Sequence, residues 1–425
     1  MPVCARAKIS SNESGDPNLF LLRSLSLLER TMGNANPRPV TPTTLFNVFS
    51  VSKGVLTIGL LRLVQEGKIK SFDDSVSKYW QAFENKPEIT IRHILSHQAG
   101  LANVYPEDAT LDTLLDWSKM VNFMAKEAVP SHEPGAETQY HALSYAWLVG
   151  GIIEAVAGKP YEEWLDHALS YNAQEFPGEK GTRKDLFLAG ITEDVDNHRD
   201  LAVLSVDRES QQSSNTAREV SRAPSKNEVT RTKEGSKIAN DEEDEEERKK
   251  KARKVLAKYR GLQQLMNPSV FNMRKVREAK LPSANGHASA AALAEVFDAV
   301  IRNHDKGDPI LSPEILEQAR TPSHCSRHNA AMKEKQAMLD DAQASFGLGF
   351  QLHEFTLPNG EKGMSIGHAG LGGSVVIAMP EEQTVIALTL NQLSTDSVAR
   401  KRLLGIIFEE LGWKAPPSIP TETRK

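Results

Sequence analysis

Two cysteines, Cys4 and Cys325, are all that the 425 residues contain, so no disulfide framework organises the fold and a reducing compartment is expected. Apolar runs are equally scarce. None approaches the roughly 20 residues that a bilayer-spanning helix needs, and Arg23, Glu29 and Arg30 interrupt "NLFLLRSLSLLER" too often for a secretory core. Glu13, Asp16 and Glu29 count against a transit peptide, which usually avoids acids. A cytoplasmic location is the default expectation. Positive charge is not in excess either: a net charge of −5 offers nucleic acid no electrostatic hold. His93 and His97 have the i, i+4 spacing of helical metal ligands, but no glutamate follows His93 as a metalloprotease helix requires, so both are expected to be structural. No metal and no cofactor is implied.

What remains is the texture of a globular chain long enough for one large or two ordinary domains. From Thr41 to Leu204, apolar periodic stretches are punctuated by Gly and Pro. Residues Gly54 to Glu66 carry apolar side chains on most faces, which predicts a buried helix. "SYAWLVGGIIEAVAG" predicts a second, closed by Gly158 with Pro160 just beyond. The texture then changes. Beyond Ser205 there is almost nothing to bury, and "DEEDEEERKKKARK" sets acids against bases, so a solvated insertion is expected over 205–261, with a protein partner as its candidate ligand. Order returns at residue 262. "FGLGFQLHEFTLPNGEKGMSIGHAG" predicts two strands around Pro358-Asn359-Gly360, "GSVVIAMPEEQTVIALTLN" a further hairpin, and a helix follows from Thr395 or Asp396. The fold class expected is α+β, divided as a divergent segment 1–37, a domain in two parts 38–204 and 262–413 interrupted by the insertion, and a tail 414–425.

The string S-V-S-K occurs twice, at Ser50–Lys53 and Ser75–Lys78. Ser-x-x-Lys is the pattern of a serine activated by a lysine one helical turn away, and context separates the copies. The first follows apolar "LFNVF" and opens the buried helix, so Ser50 sits at a helix N-terminus with Lys53 on the same face. Desolvation on that face would lower the lysine pKa until a neutral amine can take the serine proton. The second copy has no buried helix behind it. Asp73 or Asp74 is expected to cap a short helix there, leaving Ser75 and Lys78 on the surface. Two other stretches suit a site around Ser50: Tyr140, just ahead of the second buried helix, as a shared base, and "SIGHAGLGGSVV", whose Gly-rich turn offers backbone N–H groups to an oxyanion. Asn285 and His287 in "SANGHAS" either line the cleft or cap their own loop.

At these three places the chain resembles the serine beta-lactamase superfamily, in its class C beta-lactamase, penicillin-binding-protein and family VIII esterase branch. The order is Ser50-Val51-Ser52-Lys53, Tyr140-His141-Ala142, His368-Ala369-Gly370, with "ITIRHILSHQAGL" and "GHAGLGGSVVIAMPEEQTVIALTLN" matching around them. "RPVTPTTLFNVFSVSKG" looks nearest to eukaryotic beta-lactamase-related domains. The resemblance implies an antiparallel sheet flanked by helices, an all-helical subdomain, and a catalytic cleft between them. It further implies Ser50 as the acylated nucleophile, Lys53 and Tyr140 as the proton relay, the N–H groups of Ser50 and Leu371 as the oxyanion hole, and His368, Ala369 and Gly370 along the substrate. Two departures point away from antibiotics. Ala142 stands where Tyr-x-Asn is usual, and His368-Ala369-Gly370 replaces Lys-Thr-Gly, removing a fixed cation suited to a carboxylate. A small neutral ester or amide is therefore the expected substrate, with a catalytically weak interaction or scaffolding module as the alternative. Met1 to Met32 reads as loop then helix where the superfamily starts with two strands, so either those strands are lost, leaving a sheet edge unpaired, or the segment is not the native start.

Overall fold

The computed structural model describes residues 5–10, 40–107, 109–170, 185–198, 200–206, 260–303, 308–323, 345–394 and 397–421. Its centre is a six-stranded antiparallel sheet. In chain order the strands are β1 (Ala5–Ser10), β2 (Phe46–Asn47), β3 (Leu186–Phe187), β4 (Ser205–Val206), β5 (His287–Ala288), β6 (Ser345–Phe346), β7 (Gln351–Thr356), β8 (Lys362–Ala369), β9 (Val375–Met379), β10 (Thr384–Leu390) and β11 (Gln392–Leu393). The large sheet has the order β1-β10-β9-β8-β7-β6, while β2-β5-β3 and β11-β4 form two small ones.

Both hairpins predicted from the C-terminal half are present. Gly360, at φ 83°, turns β7 into β8 in the left-handed region that glycine alone enters without strain. Strands β9 and β10 are buried along their whole length, because helices cover both faces of the sheet and solvent meets neither. On one face Val375, Ile377, Ile386 and Leu388 pack against Leu403, Leu404 and Phe408 of the helix Val398–Leu411. On the other, Val376, Ala378, Val385 and Ala387 belong to the main core together with Leu293 and Phe297 of the helix Ala290–Ile301. The period-2 alternation of "VVIAM" and "TVIALTL" thus feeds two separate cores.

The N-terminus corrects the expectation of a bare edge. Strand β1 pairs antiparallel with β10, from Ala5 opposite Leu390 to Ser10 opposite Val385, so β10 has a neighbour on each side. "ARAKIS" alternates apolar and polar residues, but six residues are a short signal beside the leucine-rich stretch that follows. The helix expected before Met32 lies outside the described residues, as does most of the expected insertion; Ser205 and Val206, at its start, form β4 and pair with β11.

Between the sheet strands of the N- and C-terminal parts stands a helical subdomain: α1 (Val51–Gln65), α2 (Ile91–Leu95), α3 (Leu111–Leu115), α4 (Trp117–Lys126), α5 (Ser144–Ala157) and α6 (Tyr161–Ala168). Helix α5 is its axis and ends at Gly158, φ 67°, as predicted. A Cβ on Gly150 or Gly151 would collide with the rings of Trp117 and Trp80, so these two glycines let the indoles pack directly on the α5 backbone. Helix α1 bridges the layers, with twelve of its residues buried. Its N-terminus lies against the end of β8: Gly370 has room for no side chain because the carbonyl of Val48 occupies that space. No helix among the described residues is long and apolar enough to cross a membrane.

Candidate active site

The chain reaches Ser50 through a strained step. Phe49 adopts φ 46°, a conformation that a bulky L-residue enters at a cost of order 1–3 kcal/mol and only when its surroundings enforce it. Those surroundings are visible. The N–H of Phe49 donates to Oδ1 of Asn47 at 2.9 Å, its ring packs edge-on to Phe271 at 5.1 Å, and β2 is tied to β5 through Asn47 and His287. Ser50 then stands at the N-cap of α1 without using its side chain as a cap. Serine at that position ordinarily satisfies a free helix N–H; here the hydroxyl is left for other partners.

Those partners are the two residues singled out from the sequence. Lys53 Nζ lies 2.9 Å from Ser50 Oγ, and the Tyr140 hydroxyl lies 2.8 Å from the same oxygen. The lysine head is also 4.9 Å from the centre of the Tyr140 ring. Lys53 is fully buried, bonds to the carbonyl oxygen of Ser283 at 2.8 Å, and pairs with no carboxylate among the described residues. Burial alone drives its pKa well below the ordinary lysine value, because a charge loses its hydration there and nothing anionic replaces it. The arrangement can deprotonate a hydroxyl: an amine biased to its neutral form touches the oxygen that would become the nucleophile.

The third motif arrives from the sheet. His368 is buried at the end of β8, its ring 6.0 Å from that of Tyr140. Its Nδ1 bonds to the carbonyl of Ala369 at 2.7 Å, which leaves Nε2 unprotonated in the neutral ring. Burial, and then the Lys53 charge, push its pKa down to about 3, so His368 provides no cation at neutral pH. Past Gly370 the chain enters a short turn, Leu371–Gly373. The backbone N–H groups of Ser50 and Leu371 donate to no other group among the described residues, which leaves both available to an oxyanion.

Asn285 and His287 make the loop contacts that were one of their two expected roles. Both are buried, at 0% and 3% exposure. The Asn285 amide donates to the carbonyls of Val276 at 2.6 Å and Ala279 at 2.5 Å, while His287 Nδ1 bonds to the carbonyl of Asn285 at 2.8 Å. His287 belongs to the strand pair that leads into Ser50. Ala142 is exposed. The second S-V-S-K differs from expectation in detail. Ser75 is half-buried, bridged to Thr90 and bonded to Ser77 at 2.8 Å, and neither Asp73 nor Asp74 caps the turn. Asp73 pairs with Arg92, and Asp74 accepts from Tyr79 and pairs with Lys78. Nothing in that copy bonds to Ser50, Lys53 or Tyr140.

Sequence reasoning missed the groups behind Tyr140. His97, His141, Phe346 and Tyr145 surround it or one another at ring separations of 4.7 to 5.9 Å. Burial pushes His141 down to about 4 and His97 well below the ordinary histidine value. His97 was visible only as half of a rejected metal pair, and Ser283 contributes a backbone carbonyl, which leaves no trace in residue identity.

The chain is similar to known proteins in sequence and in fold. The family model described as Beta-lactamase matches residues 28–169 and 211–407. The protein described as "Esterase/beta-lactamase LipL" of Mycobacterium tuberculosis is 27% identical over 354 residues, 81% of this chain and 69% of its own length. "Esterase EstB" of Burkholderia gladioli is 29% identical over 162 residues, 34% of this chain and 39% of its own. Among solved structures, a family VIII carboxylesterase superposes with a TM-score of 0.60 at 20% identity, over 92% of this chain and 87% of its own. A penicillin-binding-protein homologue from Caulobacter crescentus superposes at 0.57 with 22% identity, over the same shares. Identity that low shows the fold alone, but the family model spans most of the sequence: the chain belongs to the Beta-lactamase family and is of its serine-hydrolase type.

Proposed function

We propose that the chain hydrolyses a neutral ester or amide in two steps through an acyl group carried on Ser50. The observation that carries this reading is the convergence of Lys53 Nζ and the Tyr140 hydroxyl on Ser50 Oγ, at 2.9 and 2.8 Å. Oγ attacks the carbonyl carbon and forms the new C–O bond while its proton passes to the neutral amine of Lys53. The carbonyl oxygen becomes an anion that accepts from the N–H groups of Ser50 and Leu371. On collapse the bond to the leaving group breaks, and its oxygen or nitrogen takes a proton from the Lys53–Tyr140 pair. A water then attacks the acyl carbon, gives its proton to the same pair, and releases the acid while Oγ recovers a proton.

The charge of the site favours a neutral substrate. His368 holds the position at which a fixed cation would meet a carboxylate, and it is neutral near pH 7, pushed down to about 3. Burying a lysine without an anionic partner destabilises a fold, so a protein that only binds has no use for this geometry, which argues against a scaffold reading. A fluorophosphonate probe tests the proposal directly. Label mapped by mass to the peptide containing Ser50, and absent from Ser50→Ala, is the expected result; a folded protein that takes no label overturns it.

A further inference from the structure

We propose that His97 is the positioning residue of Tyr140, holding the phenol within reach of Ser50 by a three-point clamp; this rests on the functional reading above. Tyr140 needs such a device, because the segment ahead of α5 on which it lies has no regular secondary structure. His97 follows α2 in a left-handed conformation, φ 61°, uncommon for any residue but glycine. From there it meets both chain neighbours of Tyr140. The N–H of Gln139 donates to the His97 carbonyl at 2.8 Å. The N–H of His141 donates to His97 Nδ1 at 3.2 Å. Between these two bonds the His97 ring rests against the Tyr140 ring, centroids 4.9 Å apart. Phe346 closes the stack from the other part of the chain, 4.7 Å from His97 and 5.9 Å from Tyr140.

The middle bond fixes the chemistry of the clamp. An accepting Nδ1 requires a neutral imidazole that carries its one proton on Nε2; a second proton would set two donors face to face at His141. Burial, with His141, His368 and Lys53 nearby, keeps His97 in the neutral form. A purely space-filling role would ask only for bulk. The clamp asks for an acceptor at the δ position and tolerance of positive φ. Asparagine offers both, since its Oδ1 takes the place of Nδ1 and it enters the left-handed region more readily than most residues.

The test compares His97→Ala, His97→Phe and His97→Asn with wild type, by turnover of a p-nitrophenyl ester and by crystal structures of the variants. His97→Ala and His97→Phe are expected to lower kcat roughly 10- to 100-fold, the effect of misplacing a catalytic group by about 1 Å, with KM little changed. His97→Asn is expected to restore most of that loss. In the structures, the Tyr140 hydroxyl should move beyond about 3.5 Å from Ser50 Oγ in the first two variants and stay within hydrogen-bond reach in the third. A folded His97→Ala or His97→Phe with wild-type kcat, or an asparagine variant no better than alanine, overturns the clamp. If wild type neither turns over nor labels at Ser50, the functional reading fails, and the clamp is still decided by the Tyr140 to Ser50 separation in the variant structures.

Discussion

Replacing Lys53 by methionine should make the protein more stable at neutral pH while ending its chemistry. The lysine is fully buried, faces no carboxylate among the described residues, and has its pKa pulled well below the ordinary value by desolvation. Folding must therefore remove a proton that the unfolded chain keeps. At pH 7 that cost is at most about 5 kcal/mol, being about 1.4 kcal/mol for each unit between pH 7 and an unfolded pKa near 10.4. Methionine abolishes the cost but strips the Ser283 carbonyl of its donor, a loss of about 1–3 kcal/mol. The difference is a net gain of at most about 2–4 kcal/mol at pH 7. The sign with pH is definite. Above the lowered pKa the unfolded chain binds one more proton at residue 53 than the folded chain, so wild-type stability rises with pH until the unfolded lysine also deprotonates. The methionine variant has no such group, and every other titration is common to both proteins. Its advantage should shrink steadily and reverse by about pH 10, where the lost hydrogen bond outweighs what is left of the cost. Urea denaturation midpoints at pH steps from 7 to 10 measure this. A gap that does not change with pH, or a variant less stable at pH 7, refutes the reasoning.

Tyr140→Phe keeps the ring packing but removes the hydroxyl on Ser50, and should lower kcat for an ester roughly 10²- to 10⁴-fold with the melting temperature unchanged; normal turnover would exclude the phenol from the relay. The acid limb of kcat/KM should follow Lys53, activity falling as pH drops through the lowered lysine pKa, and His368→Asn should leave that limb in place because His368 titrates only near pH 3. Loss of the limb in that variant would assign it to the histidine. Gly151→Ala forces a methyl to 2.5 Å from the Trp80 ring, and should destabilise by about 1–3 kcal/mol in a denaturant titration. Deleting residues 1–10 removes β1 and opens the β10 edge, so light scattering should detect association on warming; a deletion variant that stays monodisperse with an unchanged midpoint would mean that the strand contributes little.

How much of this could be read beforehand depended on the reach of each signal. Helices α1 and α5 and the two C-terminal hairpins were legible because periodicity, a closing glycine and a Pro-Asn-Gly turn act over a few residues. That Ser50, Lys53 and Tyr140 come together was legible from their motifs, whose spacing acts over one helical turn and whose order places Tyr140 ahead of α5. Strand β1 was missed because its partner in β10 lies nearly the whole chain away, and pairing over that distance leaves only a faint alternation in "ARAKIS". Asn285 and His287 have the polar character of site residues, yet the Asn285 amide donates to the carbonyls of Val276 and Ala279 and His287 Nδ1 bonds to the carbonyl of Asn285, backbone groups that sequence does not locate. The two aspartates before Ser75 were assigned as caps on local grounds, and longer-range partners, Arg92 and Tyr79, took them instead.

The residues that look least catalytic are what make Ser50 usable. An N-cap serine is normally held by its own helix, and an unstrained approach would leave the hydroxyl in that role. Here the approach is bent at Phe49, and the bend is maintained from three directions: Asn47 by a side-chain bond, Phe271 by ring contact, and the pairing of β2 with β5. Asn285 and His287 support that last element, so their polarity serves the site at one remove. Lys53 follows the same logic in energetic terms. Its burial opposes folding, and the large two-sided core of β9 and β10 provides stability against which such a cost can be carried. Site and scaffold are thus coupled through α1, whose N-terminus presents Ser50 and whose body joins the sheet to the helical subdomain.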